Sequence, residues 1–193
     1  MMSDLSTMTQ TDGSQGIVCT LEPSIDAQQN YFAILGVQPS CEVDLEDLAN
    51  RYRRLQQAVH PDKFLRECDR SQRLAQQQAA LVNEAYRTVK SPLARVQYLL
   101  EMVGQNQAQS ETSKDVAFLM QQMELRQRLD QVVGDLDALD ELFKDVRESI
   151  MEYLDAFSVA WSAANWQEAR NVIVKLQFAS KLSSEIEDRQ ARL

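Results

Sequence analysis

From Leu139 to Trp161, the apolar residues Leu139, Leu142, Phe143, Val146, Ile150, Tyr153, Leu154, Phe157 and Trp161 recur at steps of three and four. An α-helix turns once in about 3.6 residues, so this set lines one helix face, whereas a strand would need a step of two. A helix this long with one apolar stripe must lay that stripe on other helices, because an isolated helix in water is marginal. Suitable neighbours flank it. A helical pattern spans about Lys114 to Val133 and stops at Gly134, with Phe118, Leu125, Leu129, Val132 and Leu136 on one side. Another opens at Asn165, an N-cap residue type with Glu168 three places on, and carries Ala169, Val172, Ile173 and Leu176 on one face. Only five glycines and four prolines interrupt 193 residues, and no strand pattern or internal repeat occurs. The expectation is an all-α chain whose residues 114–193 form a three-helix bundle with short turns.

The N-terminal half is built from shorter pieces. Residues 1–29, rich in Ser, Thr, Gln and Gly, carry four acids and no base and read as a disordered tail. "NYFAILGV" is a short helical piece stopped by Gly36. A helix from about Leu45 to Val59 has Leu45, Leu48, Ala49, Tyr52 and Leu55 as its stripe, with Arg51, Arg53 and Arg54 facing away. Pro61 disfavours the α region at His60, so that helix stops near Val59. A third spans about Ser71 to Lys90, its stripe including Leu74, Leu81, Ala85 and Tyr86. "SPLARVQYLLEMVG" continues as another, with Pro92 in its first turn and Gly104 as its stop. Polar, aperiodic residues 104–113 read as a linker after a first domain of residues 30–103.

Charge and cysteine usage exclude several functions. Net charge is −9, and residues 104–193 hold sixteen acids against ten bases, which opposes nucleic-acid binding. No apolar run reaches the roughly 18–20 residues needed to cross a bilayer. With no Lys or Arg before Arg51, the N-terminus reads as neither a secretory signal nor a transit peptide. Cys19, Cys41 and Cys68, odd in number and far apart, suit reduced thiols in a cytosol-like compartment. A single histidine and no Cys-x-x-Cys pair leave no zinc set. A di-iron bundle needs Glu-x-x-His on two helices, and no signature places Cys68 or Cys41 beside His60 as a nucleophile pair. No cofactor, metal or catalytic group of the chain's own is expected.

That one histidine stands in His60-Pro61-Asp62, directly after the arginine-bearing helix. Proline fixes φ and removes a donor, making a stiff corner whose side chains point outward. A carboxylate held there suits a basic group on another protein. From Tyr31 to Arg95 the chain resembles a J domain: "NYFAILGV" its first helix, "LEDLANRYRRLQQAVHPDKF" its second helix and loop, "LVNEAYRTVKSPLAR" the end of its third. The resemblance implies docking on an ATPase chaperone of the seventy-kilodalton heat-shock class (HscA/DnaK type). His60, Pro61 and Asp62 would trigger the partner's hydrolysis, and Arg51 and Arg54 would steer docking. Gln56 and Gln57 stand where many J domains carry lysines, so the positive face is thin and the partner specialised.

"HPDKF", "SPLARVQYLLEMVG", "DVAFLMQQMELRQRLD" and "VKLQFASKL" resemble the HscB family, J-type co-chaperones of iron–sulfur cluster assembly. This implies an L-shaped molecule that activates an ATPase without being an enzyme, and an IscU-type scaffold protein as client. The tail lacks the cysteine pairs of some eukaryotic relatives, which points to a bacterial, cytoplasmic protein. The bundle carries a physical counterpart to the client reading. Val116, Leu119, Met120 and Met123 fall opposite the core stripe of their helix, with Gln127 beside them and Glu124 at the border; Phe178 points roughly 200° from Leu176. A second apolar stripe needs another partner, and methionines suit a surface that repacks around a guest. The resemblance makes Leu119, Met120, Met123, Glu124, Gln127 and Phe178 the scaffold-binding set, although Gln127 and Gln131 are neutral where the family carries an acidic rim. Two alternatives stand beside this: packing of these residues against the J-domain helices or a bend in the bundle, and a J-domain co-chaperone with a different client.

Overall fold

Almost every helix begins where one side chain satisfies the first free backbone N–H groups. The computed structural model describes residues 29–105, 115–132 and 134–193. Among these are seven α-helices and no strand: α1 (Tyr31–Leu35), α2 (Leu45–Val59), α3 (Asp69–Lys90), α4 (Pro92–Met102), α5 (Val116–Gln131), α6 (Leu136–Ser162) and α7 (Trp166–Gln190), with a 3-10 turn at Pro61–Phe64. Asn30 caps α1, Asp44 caps α2, Ser91 caps α4, Asp115 caps α5 and Asp135 caps α6. Asn165 caps α7 as expected, its Oδ1 accepting from the Glu168 amide at 3.2 Å. The all-α class is as the periodicity requires. Apart from Gln29, Gly104 and Gln105, the expected tail and linker lie outside the described residues.

The chain divides into two compact units. The first takes the described residues up to Gln38 together with Asp44–Arg87. Phe32, Ile34, Leu35, Leu48, Val59, Ala75, Val82 and Ala85 are its buried apolar side chains. Tyr52 ties α2 to α3: its hydroxyl donates to Asn83 Oδ1 at 2.9 Å and its ring stacks on Tyr86, centroids 4.0 Å apart. Gly36 stops α1 at φ 68°, and a Cβ there would lie 3.1 Å from Arg51 Nη1, so glycine serves both the turn and the close approach. The α3 stripe departs from expectation. Its buried positions are Ser71, Ala75, Gln78, Val82, Ala85 and Val89, while Leu74, Leu81 and Tyr86 are only half-buried flanks. A stripe of Ser, Ala and Gln with two valines is nearly invisible to hydrophobicity. Leu45, placed in the α2 stripe, is exposed in the first turn.

The second unit takes Pro39–Val43 and Thr88–Leu193. Division by packing therefore falls near Thr88, whereas the sequence division falls at residue 103, because α4 packs on α7. α6 and α7 form an antiparallel hairpin turned through Ala163 and Ala164, and α5 lies across both. Leu129, Leu139, Leu142, Val146, Ala179, Leu182 and Ile186 make one buried cluster, with Leu125, Val132, Phe143, Ile150, Tyr153 and Phe178 packed around it. Leu136, expected in the α5 stripe, is exposed: α5 ends at Gln131 with Val132 as its C-cap, Gly134 follows in the left-handed region, and Leu136 opens α6 instead. Interhelical pairs Arg126–Glu185 (2.9 Å), Arg128–Asp145 (2.8 Å) and Arg189–Asp130 (3.1 Å) border the bundle. Cys41 is a free, buried thiol, but Cys68 is disulfide-bonded, against the expectation of reduced thiols; Cys19 lies outside the described residues.

Arg95 is the buried charge of this unit. Its Nε donates to the Cys41 carbonyl at 2.9 Å and its Nη1 to the Val89 carbonyl at 2.7 Å, with 5% of the residue exposed. Burial pushes the guanidinium down from its ordinary value and pushes the Cys41 thiol up. One planar fork thus serves two carbonyls from segments far apart in sequence. Arg95→Ala leaves both acceptors dry, and urea unfolding should show a loss of about 2–4 kcal/mol. Arg95→Lys should lose most of that, since a single ammonium cannot span both carbonyls.

Candidate functional site

The corner after α2 is set by three consecutive residues. His60 (φ −62°, ψ 125°) is at once the C-cap of α2 and the N-cap of the 3-10 turn, and Pro61 takes the turn's first position, where its missing N–H costs nothing. The His60 carbonyl accepts from the Lys63 amide at 3.1 Å, closing the turn. His60 Nδ1 accepts from the Asp62 amide at 3.3 Å. Both side chains stay in solvent, His60 51% and Asp62 77% exposed. The sequence reading of an outward-facing corner matches this geometry.

The two arginines differ. Arg51 donates through Nε to Asp47 Oδ2 and through Nη1 to the Gly36 carbonyl, each at 2.7 Å. It clasps the end of α1 to α2, so its reach toward a partner is limited. Arg54 is exposed, with the neutral Gln56 and Gln57 exposed after it. Sequence reading assigned both arginines to docking and missed the clasp, because the Gly36 carbonyl is brought to Arg51 only by the packing of α1 on α2.

On α5 the second stripe faces solvent. Val116 and Met120 are each 67% exposed and Met123 73%, with Leu119 half-buried and Glu124 and Gln127 exposed. These residues make one face. Phe178 does not join it. It sits half-buried against the core cluster, edge-on to Phe118 with centroids 6.0 Å apart, on the core-facing side of α5. Phe118, Gln122, Leu125, Tyr153 and Phe178 line a small cleft where α5 meets the hairpin. Phe178 does turn away from Leu176, but α5 occupies that side of α7. A helix covered by α4, α5 and α6 buries more than one stripe.

The start of α5 is pinned electrostatically. Lys175 Nζ lies 2.8 Å from Asp115 Oδ2 and 5.5 Å from the Phe118 ring centroid. The Lys175 hydrogen bond and the Phe118 amide hold the Asp115 carboxyl below its usual range. Lys175 and Tyr153 gave no signal in the sequence beyond their place in helical patterns. Among the described residues no cluster of His, Cys, Asp and Glu is able to hold a metal ion, and no helix is long and apolar enough to cross a membrane.

Phe178→Ala should cost on the order of 2–3 kcal/mol, below the roughly 3–5 of a fully buried phenylalanine. Met123→Ala should stay within about 0.5 kcal/mol. Thermal or urea unfolding of the two variants checks the assignment of core and surface.

A family model described as the DnaJ domain matches residues 30–98, and one described as the HSCB C-terminal oligomerisation domain matches residues 114–187. A Co-chaperone protein HscB homolog of Shewanella loihica is 38% identical over 166 residues, 82% of this chain and 95% of that protein. Another, of Pseudoalteromonas atlantica, is 38% identical over 172 residues, 85% and 98% of the two chains. Among solved structures, the chaperone HscB from Vibrio cholerae aligns with a TM-score of 0.73 at 36% identity, covering 86% of this chain and 99% of that one. The human co-chaperone protein HscB aligns with a TM-score of 0.71 at 28% identity, covering 86% and 87%.

Proposed function

The chain belongs to the HscB family of J-domain co-chaperones, and on that premise we propose a division of labour between its two units. Membership carries a co-chaperone role in iron–sulfur cluster assembly and a chaperone partner of the seventy-kilodalton heat-shock type. In our reading the first unit stimulates ATP hydrolysis by an HscA/DnaK-type partner, and the second delivers an IscU-type scaffold to it. The observation that carries the first half is the capped corner, where His60 and Asp62 stand exposed on a turn too stiff to fold them inward. Asp62 meets a basic group of the ATPase, and Arg54 steers the approach, with Arg51 adding charge from its clasped position. The partner performs the hydrolysis.

The second half rests on the exposed face of α5. Leu119, Met120, Met123, Glu124 and Gln127 receive the scaffold, and Phe178, counted in sequence among the contact residues, acts from beneath by seating α5. Holding client and ATPase on one chain raises the effective concentration of each for the other. The deciding experiment is the ATPase rate of an HscA-type chaperone with this protein, with and without an IscU-type scaffold.

Asp62→Ala should abolish stimulation with helix content and scaffold binding unchanged. Arg54→Ala should weaken docking at low salt and matter less as salt rises, because exposed charges are screened beyond roughly 8–10 Å near physiological ionic strength. Equal docking at all salt concentrations would remove the electrostatic role. A Met120→Ala, Met123→Ala variant should keep its melting temperature and its stimulation of the ATPase alone. Calorimetric titration should show scaffold affinity lowered by about 1–3 kcal/mol per side chain if these methionines are hot spots. Undiminished affinity would place the scaffold elsewhere.

A further inference from the structure

The loop that leads into α3 is held by one side chain. Gln72, in the first turn of α3, donates through Nε2 to the Leu65 carbonyl at 3.2 Å and to the Glu67 carbonyl at 3.1 Å. A primary amide carries two N–H groups, so one nitrogen serves both acceptors. The Glu67 amide donates in turn to the Phe64 carbonyl at 3.0 Å. The backbone around Leu65 is thus fixed, yet its side chain is 68% exposed, the most exposed leucine among the described residues. A leucine lying singly on a surface is ordinary. One held out by a clamped loop is preorganised, because a partner that covers it has no loop to order.

The charges around it are one-sided as well. Residues 63–73 carry four bases, Lys63, Arg66, Arg70 and Arg73, against two acids, Glu67 and Asp69. All four bases are exposed, and none enters an ion pair among the described residues. Glu67 is half-buried with its Oε2 removed from solvent. In the second unit, by contrast, Arg126, Arg128, Lys175 and Arg189 each pair with a carboxylate. An apolar centre edged by unpaired cations has the anatomy of an interface hot spot, and it fits an apolar pocket with an acidic rim.

We propose that Leu65 is an apolar anchor for the chaperone ATPase, edged by Lys63, Arg66 and Arg70, and that it sets docking affinity without triggering hydrolysis. Continuity selects this occupant: Leu65 stands three residues beyond Asp62 on the same stiff turn, so a partner seated on the corner lies against it. The inference rests on the reading that the first unit docks on that ATPase.

Full-length Leu65→Ala, Leu65→Met, Gln72→Met and the Leu65→Ala, Gln72→Met double variant are compared with wild type and Asp62→Ala. The readouts are the maximal rate and half-saturating concentration in stimulation of an HscA-type ATPase, docking by calorimetric titration, and circular dichroism. Leu65→Ala should raise the half-saturating concentration about tenfold and keep the maximal rate, whereas Asp62→Ala should lose that rate. Leu65→Met should stay near wild type. Gln72→Met keeps the side chain's length and removes its donors; it should give a smaller rise alone and none on top of Leu65→Ala. Unchanged half-saturation in Leu65→Ala overturns the anchor, whether a scaffold protein, a second copy or only solvent meets that leucine. A fall in its maximal rate overturns the division between anchoring and triggering. Equal losses from Gln72→Met in both backgrounds overturn the clamp. If wild type docks without stimulating, the trigger reading fails and calorimetry alone decides the anchor, weaker docking of Leu65→Ala supporting it and equal docking overturning it. A wild type that does not dock overturns both.

Discussion

The second unit depends on what α7 buries. Ala169, Val172, Ile173, Leu176, Ala179, Leu182 and Ile186 are all removed from solvent, along a helix that packs on α4, α5 and α6. Hydrophobic burial is non-directional, so helix capping and bordering ion pairs add the geometry that area alone does not specify. Asp115 shows the combination: it caps α5 and pairs with Lys175 on α7, so one carboxylate sets both where α5 starts and which face it presents. Once Phe118, Leu125 and Leu129 face the hairpin, Met120 and Met123 have no place but solvent.

A different constraint governs the first unit. Its buried stripe on α3 is made of Ser, Ala, Gln and Val with no Leu or aromatic residue, so side-chain bulk contributes less there and specific contacts contribute more. The Arg51 clasp on the Gly36 carbonyl and the Tyr52 contacts with Asn83 and Tyr86 supply them. These hold α2 in place up to Val59, where Pro61 forces the chain out of the helix. A rigid platform ending in a stiff turn keeps two polar side chains exposed without the entropy of a mobile loop.

The two proposed interaction surfaces would follow opposite physical rules. The corner offers charge and fixed direction, with few atoms and little area. The α5 face offers exposed, adaptable apolar side chains, which would gain from being covered by a guest. Placing them on separate compact units lets one be altered without disturbing the other's packing.

Periodicity and punctuation determined what local rules can reach. Steps of three and four established the helices, Asn165 and Gly134 marked a start and a stop, and the His60-Pro61-Asp62 corner was legible because proline acts on its immediate neighbours. The outward face of Met120 and Met123 was legible too, since a helix shows its faces in its own spacing. Tertiary structure alone decided which helices cover which faces. It turned Phe178 from an apparent surface residue into the packing beneath α5, moved α4 to the second unit, and made Ser71, Ala75 and Gln78 a buried stripe in place of Leu74 and Leu81. It likewise brought the Gly36 carbonyl to Arg51 and those of Cys41 and Val89 to Arg95. Each of these depends on groups from another part of the chain, and a pattern within one helix carries no information about what will lie against it.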